Sequence, residues 1–161
     1  MNWIKTFSLL VVSFLVFACS DDPTPDVTTL HGKWENREYQ SGWDIDWVET
    51  YHFEPNGSFQ HSLIAKEPGS DVELGYTTYR YGNFHIQNQA LQLTDLVLFI
   101  SLSDIQEGWY SPKEELVKTD FGVNTQSINF TLQNNNTELV LEECPTFECE
   151  EITYKVFLRV Q

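Results

Sequence analysis

Basic residues are scarce in this chain: nine lysines and arginines stand against 24 aspartates and glutamates, a formal net charge of −15. A surface of that sign repels phosphate backbones, which sets nucleic acid aside as a partner. Long apolar runs are scarcer still. The run from Phe7 to Phe17 is about eleven residues, whereas a helix crossing a bilayer needs roughly 20. Long helical periodicity is missing, and so are a phosphate-binding glycine loop, a nucleophile elbow, a catalytic triad and metal-ligand spacing. His31, His52 and His85 do not group with one another. No enzymatic activity, metal or cofactor is therefore expected.

What is present begins with a processing signal. A short polar start carrying Lys5, the apolar run and the small Ala18 read as a signal peptide over residues 1–18. Val16-Phe17-Ala18-Cys19 resembles the lipobox of bacterial lipoproteins, which implies cleavage before Cys19 and acylation of its thiol. Two or three chains, each buried CH₂ contributing about 0.8 kcal/mol, make such an anchor effectively permanent. Removing residues 1–18 removes Lys5 and no acid, so the charge moves from −15 to −16. Residues 19–28 are polar and proline-punctuated, a lipidated tether with nothing to bury. Ser20-Asp21-Asp22 after the cysteine is similar to the export signal of surface-exposed lipoproteins of the Bacteroidota. The implied location is the cell envelope, lipid-anchored at the outer membrane, on its periplasmic face or on the cell surface.

From Trp34 onward, aromatic and β-branched residues alternate with period two between turn signals, the pattern of half-buried antiparallel strands. Pro55-Asn56-Gly57 predicts a tight turn that sets Phe53 opposite Phe59, Tyr51 opposite His61 and Glu49 opposite Leu63. The face carrying Trp47, Glu49, Tyr51, Phe53, Phe59, His61, Leu63 and Ala65 should point inward, with Val48, Thr50, His52, Ser62 and Ile64 outside. A second hairpin turns at Asn88-Gln89, with Phe84, Ile86, Leu91 and Leu93 on one face. Its strand continues through Leu96 to Ile100, where alternation stops. Such a run signals burial on both sides or contact with another chain. Ser111-Pro112-Lys113-Glu114 has capping-box spacing and predicts a short helix over residues 112–118. Ile128, Phe130 and Leu132 lead to the Asn134-Asn135-Asn136 turn, with Leu139 and Leu141 returning on the same face.

With Cys19 taken by lipid, Cys144 and Cys149 remain as an even pair. A disulfide is the reading preferred over metal, because two cysteines without a nearby histidine make a poor zinc site. That bond would pin the final turn, with Leu141 opposite Ile152, Leu139 opposite Tyr154, and Glu138 meeting Lys155 outside. The acids Glu142, Glu143, Glu148, Glu150 and Glu151, like Asp44 and Asp46, read as a solvated face rather than a calcium site.

Eight or nine strands in about 130 residues fit a closed barrel or a two-sheet sandwich, and composition does not choose between them. Leu30-His31-Gly32-Lys33-Trp34 resembles the G-x-W signature of the lipocalin superfamily. Tyr51 to Phe59 and Tyr81 to Ile86 are similar to the lipocalin-like domains of Bacteroidota lipoproteins. The resemblance covers residues 29–161 and implies an all-β, antiparallel up-and-down barrel of eight to nine strands. In that family the tryptophan, here Trp34 after Gly32, plugs the closed end, and a late basic residue, here Arg159, packs over it. The usual T-D-Y segment of secreted lipocalins is missing, so no specific ligand is implied.

Glu49, Tyr51 and His61 are the inward polar groups, and with Phe84 they form the candidate ligand-binding set. The plainer reading is that Glu49, His61 and Tyr51 satisfy one another. Two functions follow. The barrel holds a small apolar or amphipathic ligand, or it is a filled interaction module that presents an apolar patch near Leu96 to Ile100 to another envelope protein.

Overall fold

Asn56 and Gly57 close the first hairpin by local chemistry. Gly57 sits at φ +85°, a left-handed conformation that costs glycine little, and the Asn56 side chain accepts from the Ser58 N–H at 2.9 Å. In the computed structural model, which describes residues 26–103, 108–120, 122, 124–143 and 152–160, this turn joins β2 (Ile45–Phe53) to β3 (Ser58–Lys66). Their register pairs Phe53 with Phe59, Tyr51 with His61 and Glu49 with Leu63, as the turn predicts. Before them runs β1 (Gly32–Gln40), preceded by a 3-10 turn over Val27–Leu30 that Asp26 caps at the Thr28 N–H. The signal peptide, Cys19 and the tether up to residue 25 lie outside the described residues, as do Cys144 and Cys149.

β4 (Glu73–Gln87) and β5 (Ala90–Ile100) form the second hairpin. Asn88 and Gln89 both have positive φ, the two-residue turn whose twist matches its strands. Phe84 pairs with Leu93 and Ile86 with Leu91. Midway, Asp95 and Leu96 together oppose Gly82 in a bulge. A β-carbon at Gly82 would run into the carbonyl oxygens of Thr94 and Asp95, so only glycine lets the two backbones approach.

Three further strands complete the ladder: β7 (Thr125–Gln133), β8 (Glu138–Glu143) and β9 (Thr153–Val160), with the short β6 (Val117–Thr119) before them. All pairings are antiparallel. β1, β2, β3, β4, β5, β7, β8 and β9 pair in turn, and β9 pairs back with β1, so the ladder returns on itself as a ring. β6 adds to β5 beside β7, outside that circuit. Closure of the ring pairs backbone groups that an open sheet would leave on exposed edges.

The two ends of the ring differ. The tight turns at 54–57, 88–89 and 134–136 lie together at the Trp34 end, whereas the longer connections lie at the other. The interior of the first end is apolar and filled. Trp34, Phe53, Phe59, Leu91, Leu139 and Phe157 have no solvent exposure there. Burial at about 25 cal/mol per Å² of apolar surface makes this cluster the main favourable contribution to folding.

Two sequence expectations are corrected. No α-helix forms over residues 112–118. A 3-10 turn covers Lys113–Glu115 and the chain then enters β6, because the Ser111 hydroxyl that would cap a helix instead meets Ser101 and Ser103, each at 2.8 Å. The β8–β9 register is shifted by three residues: Leu141 pairs with Lys155 and Leu139 with Phe157. An odd shift exchanges the faces of a strand, so Lys155, Phe157 and Arg159 turn inward and Tyr154, Val156, Leu158 and Val160 outward. Leu96 to Ile100 are half-buried, Leu98 to Ile100 lying between β4 and β6. The outer face of β2 and β3 is only partly solvated, with Gln60 exposed. Val48, Thr50 and Ile64 are buried, and the β3–β4 connection folds back onto Asp46, whose carboxylate accepts from the Gly69 N–H at 2.8 Å. Arg37, opposite Val48, holds that connection through the Ser70 carbonyl at 3.0 Å and the Asp71 carboxylate at 2.9 Å.

Candidate functional site

Above the apolar cluster the interior becomes polar, because β2 turns Glu49 and Tyr51 inward and β3, β4 and β9 add His61, Arg80 and Lys155. Glu49 of β2 is the hub. Its Oε1 lies 2.6 Å from His61 Nε2, and its Oε2 accepts from Lys155 Nζ at 2.6 Å. Burial alone would push this carboxyl up, but the His61 hydrogen bond and the Lys155 ammonium hold it down at about 2. His61 is driven the opposite way. Burial, and then the charge of Arg80, lower it to about 4, so at neutral pH the imidazole is uncharged and its Nε2–H donates to an ionised Glu49. Nδ1 of His61 has no partner among the described residues.

Tyr51 lies beside His61, the ring centres 4.4 Å apart. Its hydroxyl accepts from Arg80 Nη2 at 2.5 Å, and burial raises it to about 12, so it remains a neutral phenol. Arg80 of β4 sits opposite His61 in the β3–β4 ladder. Its other terminal nitrogen, Nη1, donates to Gln126 of β7 at 2.8 Å. The guanidinium thereby connects the buried cluster to an open cavity.

That cavity, about 320 Å³, is lined by Arg80, Leu96, Leu98, Thr119, Asp120, Asn124 and Gln126. It lies where β6 and β7 pair with successive parts of β5 and leave a gap between them. The volume falls at the lower end of small-molecule sites. Two leucines supply an apolar wall; an arginine and two carboxamides supply donors. Farther along the same end, Trp43 packs edge to face on Trp109 at 5.2 Å, and Trp47 on Tyr110 at 6.5 Å.

The four candidate ligand residues are therefore separated. Glu49, Tyr51 and His61 come together but are buried and bonded to one another or to Lys155 and Arg80. Phe84 is elsewhere, packed on Phe53 at 4.8 Å in the filled end, and does not line the cavity. Sequence reasoning missed Lys155 and Arg80. Lys155 was assigned to the outer face by the misplaced register. Arg80 stands between Tyr79 and Tyr81, and the alternation there hides that the aromatics face outward, where Phe99 joins them.

At the closed end, the Arg159 guanidinium carbon lies 4.1 Å from the centre of the Trp34 ring. Trp34 Nε1 donates to the Leu30 carbonyl at 2.8 Å, and Arg159 donates to the carbonyls of Asn136, His31 and Thr29. Gly32, at φ +114°, brings the backbone beneath this guanidinium. No protein-family model, curated protein or solved structure matches this chain.

Proposed function

We propose that the chain is a lipid-anchored envelope lipoprotein with a lipocalin-like barrel that holds a small amphipathic ligand at its open end. The observation that carries this reading is the cavity of about 320 Å³ on the inner surface beside Arg80, joining leucine walls to hydrogen-bond donors. Supporting it, the ring is plugged at one end by Trp34 and Arg159 and carries its long connections at the other. The lipobox-like Val16-Phe17-Ala18-Cys19 supports the anchor.

The test is native mass spectrometry of the protein extracted from its host in mild detergent. A reproducible small-molecule mass, lost when Leu98→Trp fills the cavity, is the expected result. A clean apo mass, together with no thermal shift across a panel of lipids and small metabolites, overturns the ligand reading. One observation favours the second function, a protein-interaction module: Tyr154, Val156, Leu158 and Val160 form an exposed apolar stripe along the outer face of β9.

A further inference from the structure

Four of the eight described lysines and arginines pair with acids. Lys33, Arg37, Lys66 and Lys155 each reach a carboxylate within 4 Å. Arg80 reaches none among the described residues, although it points inward. It gives one N–H to the Tyr51 hydroxyl and one to the Gln126 amide, both neutral, while its buried Nε–H has no partner. A half-buried guanidinium left with neutral acceptors is electrostatically incomplete, because its desolvation is not offset by an opposite charge. The unfilled space beside it is the cavity.

We propose that the cavity takes an amphiphile with a single carboxylate, whose head pairs with Arg80 and whose apolar chain lies against Leu96 and Leu98. This rests on the ligand-binding reading above and names the class of ligand. The planar guanidinium fork matches the two oxygens of a carboxylate and forms charge-assisted bonds stronger than those to a phenol or an amide. Gln126 and Asn124 provide further side-chain amide donors on the same lining. A monoanion fits better than a phosphate dianion. Among the described residues Arg80 is the only cation on the lining, and the only acid, Asp120, is exposed and already accepts from the Gly122 N–H at 2.9 Å. One positive charge neutralises one negative head.

The experiment is a calorimetric titration of the full chain in mild detergent, blanked against empty micelles, with octanoate, octanol and octyl phosphate. The tail is constant and the head varies. Octanoate is expected to bind at least about tenfold more tightly than octanol, and Arg80→Met is expected to abolish that difference. Equal binding of octanoate and octanol by the unaltered protein overturns the carboxylate assignment and leaves the ligand-binding reading standing. Tighter binding of octyl phosphate than of octanoate overturns the monoanion argument. Binding of none of the three defeats the cavity reading and the assignment together. The comparison on the unaltered protein decides the matter even if the Arg80 variant does not fold.

Discussion

Arg159 and Trp34 lock the closed end of the ring as one unit. The guanidinium carbon lies 4.1 Å from the centre of the indole, and its donors go to the carbonyls of Asn136, His31 and Thr29, which belong to the β7–β8 turn and to the segment leading into β1. One side chain thus ties the start of the described chain to its last strand. Arg159→Ala is expected to cost about 3 kcal/mol, the sum of a cation–π contact and charged hydrogen bonds to otherwise orphaned carbonyls. Arg159→Lys should recover less than half, because an ammonium has no fork to span three acceptors. Urea denaturation of the three proteins checks this, and equal midpoints for Lys and Arg would rule the fork out.

The polar cluster makes stability depend on pH. In the unfolded chain His61 titrates near 6.5, whereas burial and the Arg80 charge hold it at about 4 in the fold. A folded value below the unfolded one means that the unfolded chain takes up its proton first. Stability present above about pH 6.5 is therefore lost as pH falls toward 4. Glu49, despite burial, is held at about 2 by His61 and Lys155, and adds a second loss below about pH 4.5. The first limb should be on the order of 2 kcal/mol. His61→Gln keeps an N–H for Glu49 but does not titrate, so its urea midpoint should be nearly flat between pH 6.5 and 4.5. A profile as steep as that of the unaltered protein would place the limb elsewhere.

Gly82→Ala should destabilise by about 2–3 kcal/mol, because the added carbon meets backbone oxygens of the bulge that cannot move aside as a side chain would. Gly42→Ala is the control. A carbon there has no atom within 4 Å and the residue needs no positive φ, so its thermal midpoint should stay close to that of the parent.

Gln89 sits at φ +62° in the second hairpin turn, where a left-handed conformation costs a side-chain-bearing residue roughly 1–2 kcal/mol. Gln89→Gly should raise stability by about 1 kcal/mol, less the extra entropy of glycine in the unfolded chain. An unchanged or lower denaturation midpoint would show that the side chain compensates through contacts of its own.

Much of the ladder was legible in the residues. Pro55-Asn56-Gly57, Asn88-Gln89 and the Asn134 turn each fix a register within a few positions, and alternation carries that register outward to Glu49, Tyr51 and His61. The β8–β9 pairing was not legible. Its connection is long, and the sequence Thr153 to Val160 alternates apolar residues on one face with Phe157 on the other. Carrying the register back from a Cys144–Cys149 pair turns Tyr154, Val156 and Leu158 inward. The fold does the reverse, because Phe157 fills the core while Lys155 and Arg159 answer Glu49 and Trp34.

The same division runs through the candidate site. Local sequence determined the strands, the tight turns and the inward placement of a carboxylate, an imidazole and a phenol, since each depends on neighbours within one hairpin. Only the tertiary structure decided that Lys155, 106 positions away, completes Glu49, that Arg80 meets no acid among the described residues, and that a cavity opens beside it. Those outcomes depend on which strands meet when the ring closes. Pairing between distant strands is set by what the whole interior can pack and neutralise, a condition that no single stretch of sequence contains.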